Sequence, residues 1–81
     1  MSKRLNQKVP VTCDRKGRPL RFRHDHRQIA VEEILDQWEE AGCWWRGERA
    51  RRVYRVQGRG GGIYELHHQP PEGWRLYRTY D

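Results

Sequence analysis

Side chains that act as nucleophiles are scarce in this chain: serine occurs once, at position 2, and cysteine twice, at positions 13 and 43. The carboxylates cluster in one acidic segment, and the histidines fall near turns with no orienting partner in the sequence pattern. No catalytic constellation emerges, and the chain is read as a non-enzyme. No apolar run reaches the roughly 18 residues that a membrane-spanning helix needs, and the charged N-terminus lacks the apolar centre of a signal peptide. A cytoplasmic location with no membrane partner is expected. Cys13 and Cys43 lie far apart in a chain without an export signal, which favours reduced thiols over a disulfide. Neither has a cysteine neighbour at the spacing of a zinc-binding pair.

Length is short as well. The 81 residues leave room for one domain, and a domain of this size buries only about 60% of its unfolded surface. Four Trp, four Tyr and one Phe offset this, since each buried ring removes on the order of 150–250 Å² from water.

Charge, by contrast, is plentiful and segregated. Residues 1–27 hold nine Lys or Arg against Asp14 and Asp25, residues 28–45 hold five acids and no base, and residues 46–81 hold eight Arg against four acids, for a formal net charge of +6. Such a surface attracts polyanions by releasing condensed counterions; the alternative is that the charge serves solubility alone.

Residues 1–18 are polar and basic, a partly flexible arm interrupted by Val9-Pro10-Val11, where Pro10 permits at most an edge strand. Arg15 to Pro19 has turn chemistry. Leu20-Arg21-Phe22-Arg23 alternates as a half-buried strand with Leu20 and Phe22 inward, and His24-Asp25-His26-Arg27 forms a hairpin tip whose second arm turns Ile29 and Val31 inward. His24 and His26 have the spacing of two metal ligands on one strand face. Completing that site requires Cys13, Cys43 or His67-His68 to converge on it, and no metal or other cofactor is expected.

Val31, Ile34, Leu35 and Trp38 follow the spacing of an amphipathic helix that Gly42 would end. Strand-like alternation from Gln28, continued through a bulge near Glu32-Glu33, gives an extended reading of the same residues. Further on, Tyr54 and Val56, Tyr64 and Leu66, and Trp74 and Leu76 share even parity, as expected of consecutive antiparallel strands with one buried face. The opposite face, with Val53, Arg55, Glu65, His67, Arg75 and Tyr77, is expected to be solvated. Gly58 to Gly62 supplies a hairpin loop, and Gln69 to Gly73 a second turn. The glycine cluster lacks the Lys-Ser/Thr of a phosphate loop and no helix follows it, so it is not a nucleotide site.

Between these halves lies Gly42-Cys43-Trp44-Trp45-Arg46-Gly47-Glu48-Arg49. Neighbouring strand residues point to opposite faces, so one tryptophan enters the core and the other covers a second surface. Aromatic rings interleaved with arginines are the combination that binds single-stranded nucleic acid, with bases on rings and phosphates on cations. The candidate nucleic-acid-binding residues are Trp44, Trp45, Arg46, Arg49, Arg51, Arg52, Arg55, Arg75 and Tyr77.

Trp44-Trp45, Tyr54-Arg55-Val56, Gly62-Ile63-Tyr64-Glu65-Leu66, Trp74-Arg75-Leu76 and the terminal Tyr80-Asp81 together resemble a family of small bacterial proteins. Residues 38–81 are also similar to the extreme C-terminal tail of ImuB, the inactive Y-family polymerase relative of bacterial mutagenesis cassettes. The resemblance implies an accessory module of DNA damage tolerance (translesion synthesis), extended sheet through residues 28–38, and no catalytic residue. The basic arm has no counterpart in that tail.

The expected fold is mostly β: an antiparallel sheet of about five strands, near 19–24, 28–36, 52–57, 62–68 and 74–79, curling toward a small barrel over residues 19–81. The alternative is α+β with a helix at about 31–41. The expected function is a noncatalytic nucleic-acid-associated module favouring single-stranded DNA; the alternative is a protein-interaction module that docks on a polymerase or repair complex through a sheet edge or the acidic stripe Glu32, Glu33, Asp36, Glu39 and Glu40.

Overall fold

The computed structural model describes residues 2–42, 45, 47, 50–69 and 73–80. Seven strands form one antiparallel sheet: β1 (Ser2–Lys8), β2 (Val11–Cys13), β3 (Pro19–His24), β4 (Arg27–Glu40), β5 (Arg51–Gly58), β6 (Ile63–Gln69) and β7 (Gly73–Tyr80). Their spatial order is β1-β7-β6-β5-β4-β3-β2, and the sheet curls into a half-barrel. The expected five strands are all present, and the count is corrected to seven by β1 and β2, which come from the segment assigned to a basic arm. No α-helix occurs among the described residues, and none is long and apolar enough to cross a membrane.

The two extra strands end the sheet on opposite sides yet are consecutive in the chain. Val9 donates its backbone N–H to the Trp74 carbonyl on β7, and the Pro10 carbonyl accepts from Arg23 on β3. Proline has no N–H to give, so at Pro10 the chain has only an acceptor to place. Here it crosses from one end of the sheet to the other.

Curling is built into β4. Its first residues pair with β3, and from Val31 onward it pairs with β5, with irregularities between Val31 and Glu33 and between Ile34 and Asp36. Each bulge adds a residue, bends the strand and resets its phase. Val31 and Ile34, three apart, therefore both reach the core side, Leu35 is 42% exposed, and Trp38 lies opposite Val53 on the other face. The helix-like spacing of these residues is the signature of a doubly bulged strand, and the helix alternative is overturned.

Parity in the second half is as the sequence predicts. Tyr54, Val56, Leu66, Trp74 and Leu76 form the core with Val9 and Phe22, and Tyr64 packs against it. Phe22 meets the Tyr64 ring edge-on at 5.1 Å between centroids. Gly58 is required beneath that ring: a Cβ there would stand 2.7 Å from Ile29 Cγ2 and 3.0 Å from Tyr64 Cε2.

The β3–β4 hairpin turns on Asp25 and His26, both with positive φ (54° and 63°). Two such residues make the turn whose twist matches the flanking strands.

A candidate anion-binding groove on the outer face

The face of the sheet turned away from the core is not the solvated surface that composition suggested. Val53, Glu65 and His67 lie on it and are 0%, 8% and 5% exposed. Cross-strand register explains their burial: Val53 faces Trp38 on β4 and His67 on β6, and His67 in turn faces Arg75 on β7. Cross-strand neighbours on one face stand close enough for their side chains to meet.

Glu65 anchors this face. Its Oε1 accepts from the Tyr80 hydroxyl at 2.6 Å, and its Oε2 lies 2.7 Å from His67 Nε2. Burial pushes the carboxyl up, but the hydrogen bonds from Tyr80 and His67 and the charge of Arg78 outweigh it and hold Glu65 below the ordinary carboxylate range. An ionised Glu65 only accepts, so the shared proton sits on His67 Nε2. The His67 ring is also stacked on Tyr77, 4.3 Å between centroids and 12° from parallel. Tyr77 and Arg78 share this face because the register shifts between Glu65 and Leu66, pairing Glu65 with Arg78 and Leu66 with Leu76.

Beside this anchored histidine is an open cavity of about 460 Å³, lined by Asn6, Lys8, Arg51, His67, Gln69, Gly73, Arg75 and Tyr77. Among the described residues its lining holds three permanent cations and no carboxylate. Arg51 is balanced by Glu40, 2.9 Å away. Glu40 is itself held below its usual range by the Trp38 indole N–H and by Arg51, against the opposing effect of burial. Arg75 reaches the Asn6 carbonyl at 3.4 Å.

Of the candidate residues, the fold brings Arg51, Arg75 and Tyr77 together at this groove. Arg55 shares the face but is committed elsewhere: its guanidinium lies 5.6 Å from the Trp38 ring and 5.4 Å from the Tyr80 ring, and its Nε is buried without a hydrogen-bond partner. Arg52 points the other way, where Glu39 holds it at 2.6 Å. Trp45, on the connection between β4 and β5, is 69% exposed. Trp44, Arg46 and Arg49, together with Cys43, lie outside the described residues.

Sequence reasoning missed Lys8, Asn6, His67 and Gln69 as groove residues. The outward parity of His67 was visible, but Lys8 becomes a neighbour of Arg75 only through the β1–β7 pairing. Among the described residues no group of three or more His, Cys, Asp or Glu could hold a metal ion.

No curated protein and no solved structure matches the sequence. A family model described as a domain of unknown function, DUF6504, matches residues 2–81, which span all seven strands and every residue of the groove, and the chain belongs to that family.

Proposed function

We propose that the domain is a noncatalytic module that binds single-stranded nucleic acid, DNA in preference, along the outer face of its sheet. The observation that carries this reading is the groove itself: Lys8, Arg51 and Arg75 line it, with no carboxylate among its described residues. Cations in a shared concavity focus an attractive field for phosphates. The connection bearing the exposed Trp45 leads into β5, whose first residue, Arg51, lines the groove, which supports pairing that ring with the groove cations. That pairing of ring and cation is how single strands are held without sequence selection. The curled sheet, closing toward a barrel through the continuous β1–β2 segment, serves as a rigid support. Translesion synthesis in the bacterial cytoplasm is the setting in which such an accessory module would act.

The test is a fluorescence anisotropy titration of a labelled single-stranded oligonucleotide. Trp45→Ala is expected to weaken binding by about 1–3 kcal/mol, the worth of one stacked base, with an unchanged unfolding midpoint. Wild-type affinity in that variant would remove the ring from the proposal.

A second reading is favoured by a different observation. From Val31 onward β4 is paired with β5 on one side, while its pairing with β3 ends at Ala30. The edge so left carries Glu32, Glu33 and Asp36, and unpaired edges are sites of strand addition by a partner protein. Recovery of a repair protein on the immobilised domain after nuclease treatment, and its loss when Glu32 and Glu33 are replaced by Lys, would favour this reading over the first.

A further inference from the structure

The charges of the groove can be counted against the ligand they would suit. Arg51 is neutralised by Glu40, and His67 is tied through Nε2 to Glu65. Lys8 and Arg75 are left, and neither has an acidic partner among the described residues. They are also direct cross-strand partners: Lys8 stands opposite Arg75 on β1 and β7, and Arg75 stands opposite His67 on β7 and β6. Partners on one sheet face have Cβ atoms about 5 Å apart, and like charges so placed repel. A groove that keeps two uncompensated cations side by side gains most from a ligand that carries two negative charges on one small group.

The two kinds of phosphate in a nucleic acid differ in that respect. A backbone phosphodiester carries one charge. A terminal phosphate monoester carries about 1.5 to 2 at neutral pH and offers three acceptor oxygens. The rest of the lining fits a terminal group: the Asn6 and Gln69 side chains are neutral, and Gly73, with φ of 104°, adds no side chain.

We propose that the Lys8–Arg75 pair, walled by His67, is a subsite for a terminal phosphate monoester, so that the domain recognises the phosphorylated end of a nucleic-acid strand in preference to its interior. This rests on the nucleic-acid reading above and specifies which part of the strand enters the groove.

The experiment compares one short, internally labelled single-stranded sequence in three forms, with a 5′ phosphate, a 3′ phosphate or hydroxyl groups at both ends, by fluorescence anisotropy at about pH 7.5. At least one phosphorylated form is expected to bind about tenfold more tightly than the hydroxyl form, the equivalent of one charge-assisted hydrogen bond. K8Q and R75Q, which also weaken the hydroxyl form by removing a groove cation, are each expected to bring the affinity ratio of the phosphorylated to the hydroxyl form to about one. Equal affinity for all three forms would overturn the subsite and leave the nucleic-acid reading standing. If either variant fails to fold, the wild-type comparison decides alone. In parallel, inorganic phosphate is titrated against chloride at matched ionic strength, with the amide resonances of Lys8, His67 and Arg75 followed. Phosphate-specific shifts there, in a protein that binds no oligonucleotide, would support a phosphate subsite and overturn the nucleic-acid reading.

Discussion

Glu65 shows how one residue can organise a surface. A carboxylate only 8% exposed is costly unless its oxygens are satisfied, and here Tyr80 takes one and His67 the other. His67 is thereby fixed as the wall of the groove and as the stacking partner of Tyr77. Replacing Tyr80 with Phe leaves Glu65 Oε1 buried without its donor and is expected to cost about 1.5–3 kcal/mol, the usual worth of a hydrogen bond to a charged group, measured by urea unfolding. The pH dependence has a definite sign. A carboxyl held lower in the folded state than in the unfolded chain adds stability that is present above the unfolded value, about 4.3, and is lost as pH falls through the folded one. His68 acts in the same direction: burial, and then the charge of Arg52, lowers its proton affinity. Its contribution is therefore present above about 6.5 and is lost as pH falls below it. Stability is expected to decline in two stages on acidification, the first removed by His68→Asn and the second reduced by Tyr80→Phe.

At the scale of the element, β4 is the strand that decides the shape. Its bulges separate neighbours that a helix would keep together: Ile34 packs on the core and Leu35 does not. Ile34→Ala is expected to cost about 2 kcal/mol, whereas Leu35→Ala stays within about 0.5 kcal/mol; comparable losses at both positions would contradict the doubly bulged strand. The same strand marks the limit of what the sequence reveals. Even parity across Tyr54, Tyr64 and Trp74 was legible because three strands joined by short hairpins keep a period of two. In β4 the bulges convert that period into apolar spacings of three and four, which mimic a helix, and cross-strand pairing with β5 rather than local pattern settles the matter. Pairing also explains why β1 was legible only as a basic arm. Its contacts with β7 join residues at opposite ends of the chain, and nothing in the local composition announces them. The groove was legible in part for the same reason. Arg51, Arg75 and Tyr77 stood out by type, but Arg52 and Arg55 were separated from them only by facing direction and by the rings of Trp38 and Tyr80.

At the scale of the whole molecule, curling gives the sheet two different faces. The inner one gathers aromatic and aliphatic side chains into a small core, and the outer one carries a layer of arginine, histidine and tyrosine around a buried carboxylate. Joining β1 to β2 through Val9 and Pro10 brings Lys8 to the groove and supplies one of the two groove cations that lack an acidic partner among the described residues. The segregated charge of the sequence thus resolves into an acidic strand edge on β4 and a cationic groove beyond β5. The measurement that tests the central claim most directly is the affinity for a single-stranded oligonucleotide across a series of salt concentrations. If Lys8 and Arg75 each engage a phosphate charge, the logarithm of the association constant falls with the logarithm of salt concentration with a slope of about −1.4 or steeper, and R75E flattens it. An affinity that does not change with salt, or a slope that R75E leaves untouched, would contradict the assignment of the outer-face groove as a nucleic-acid site.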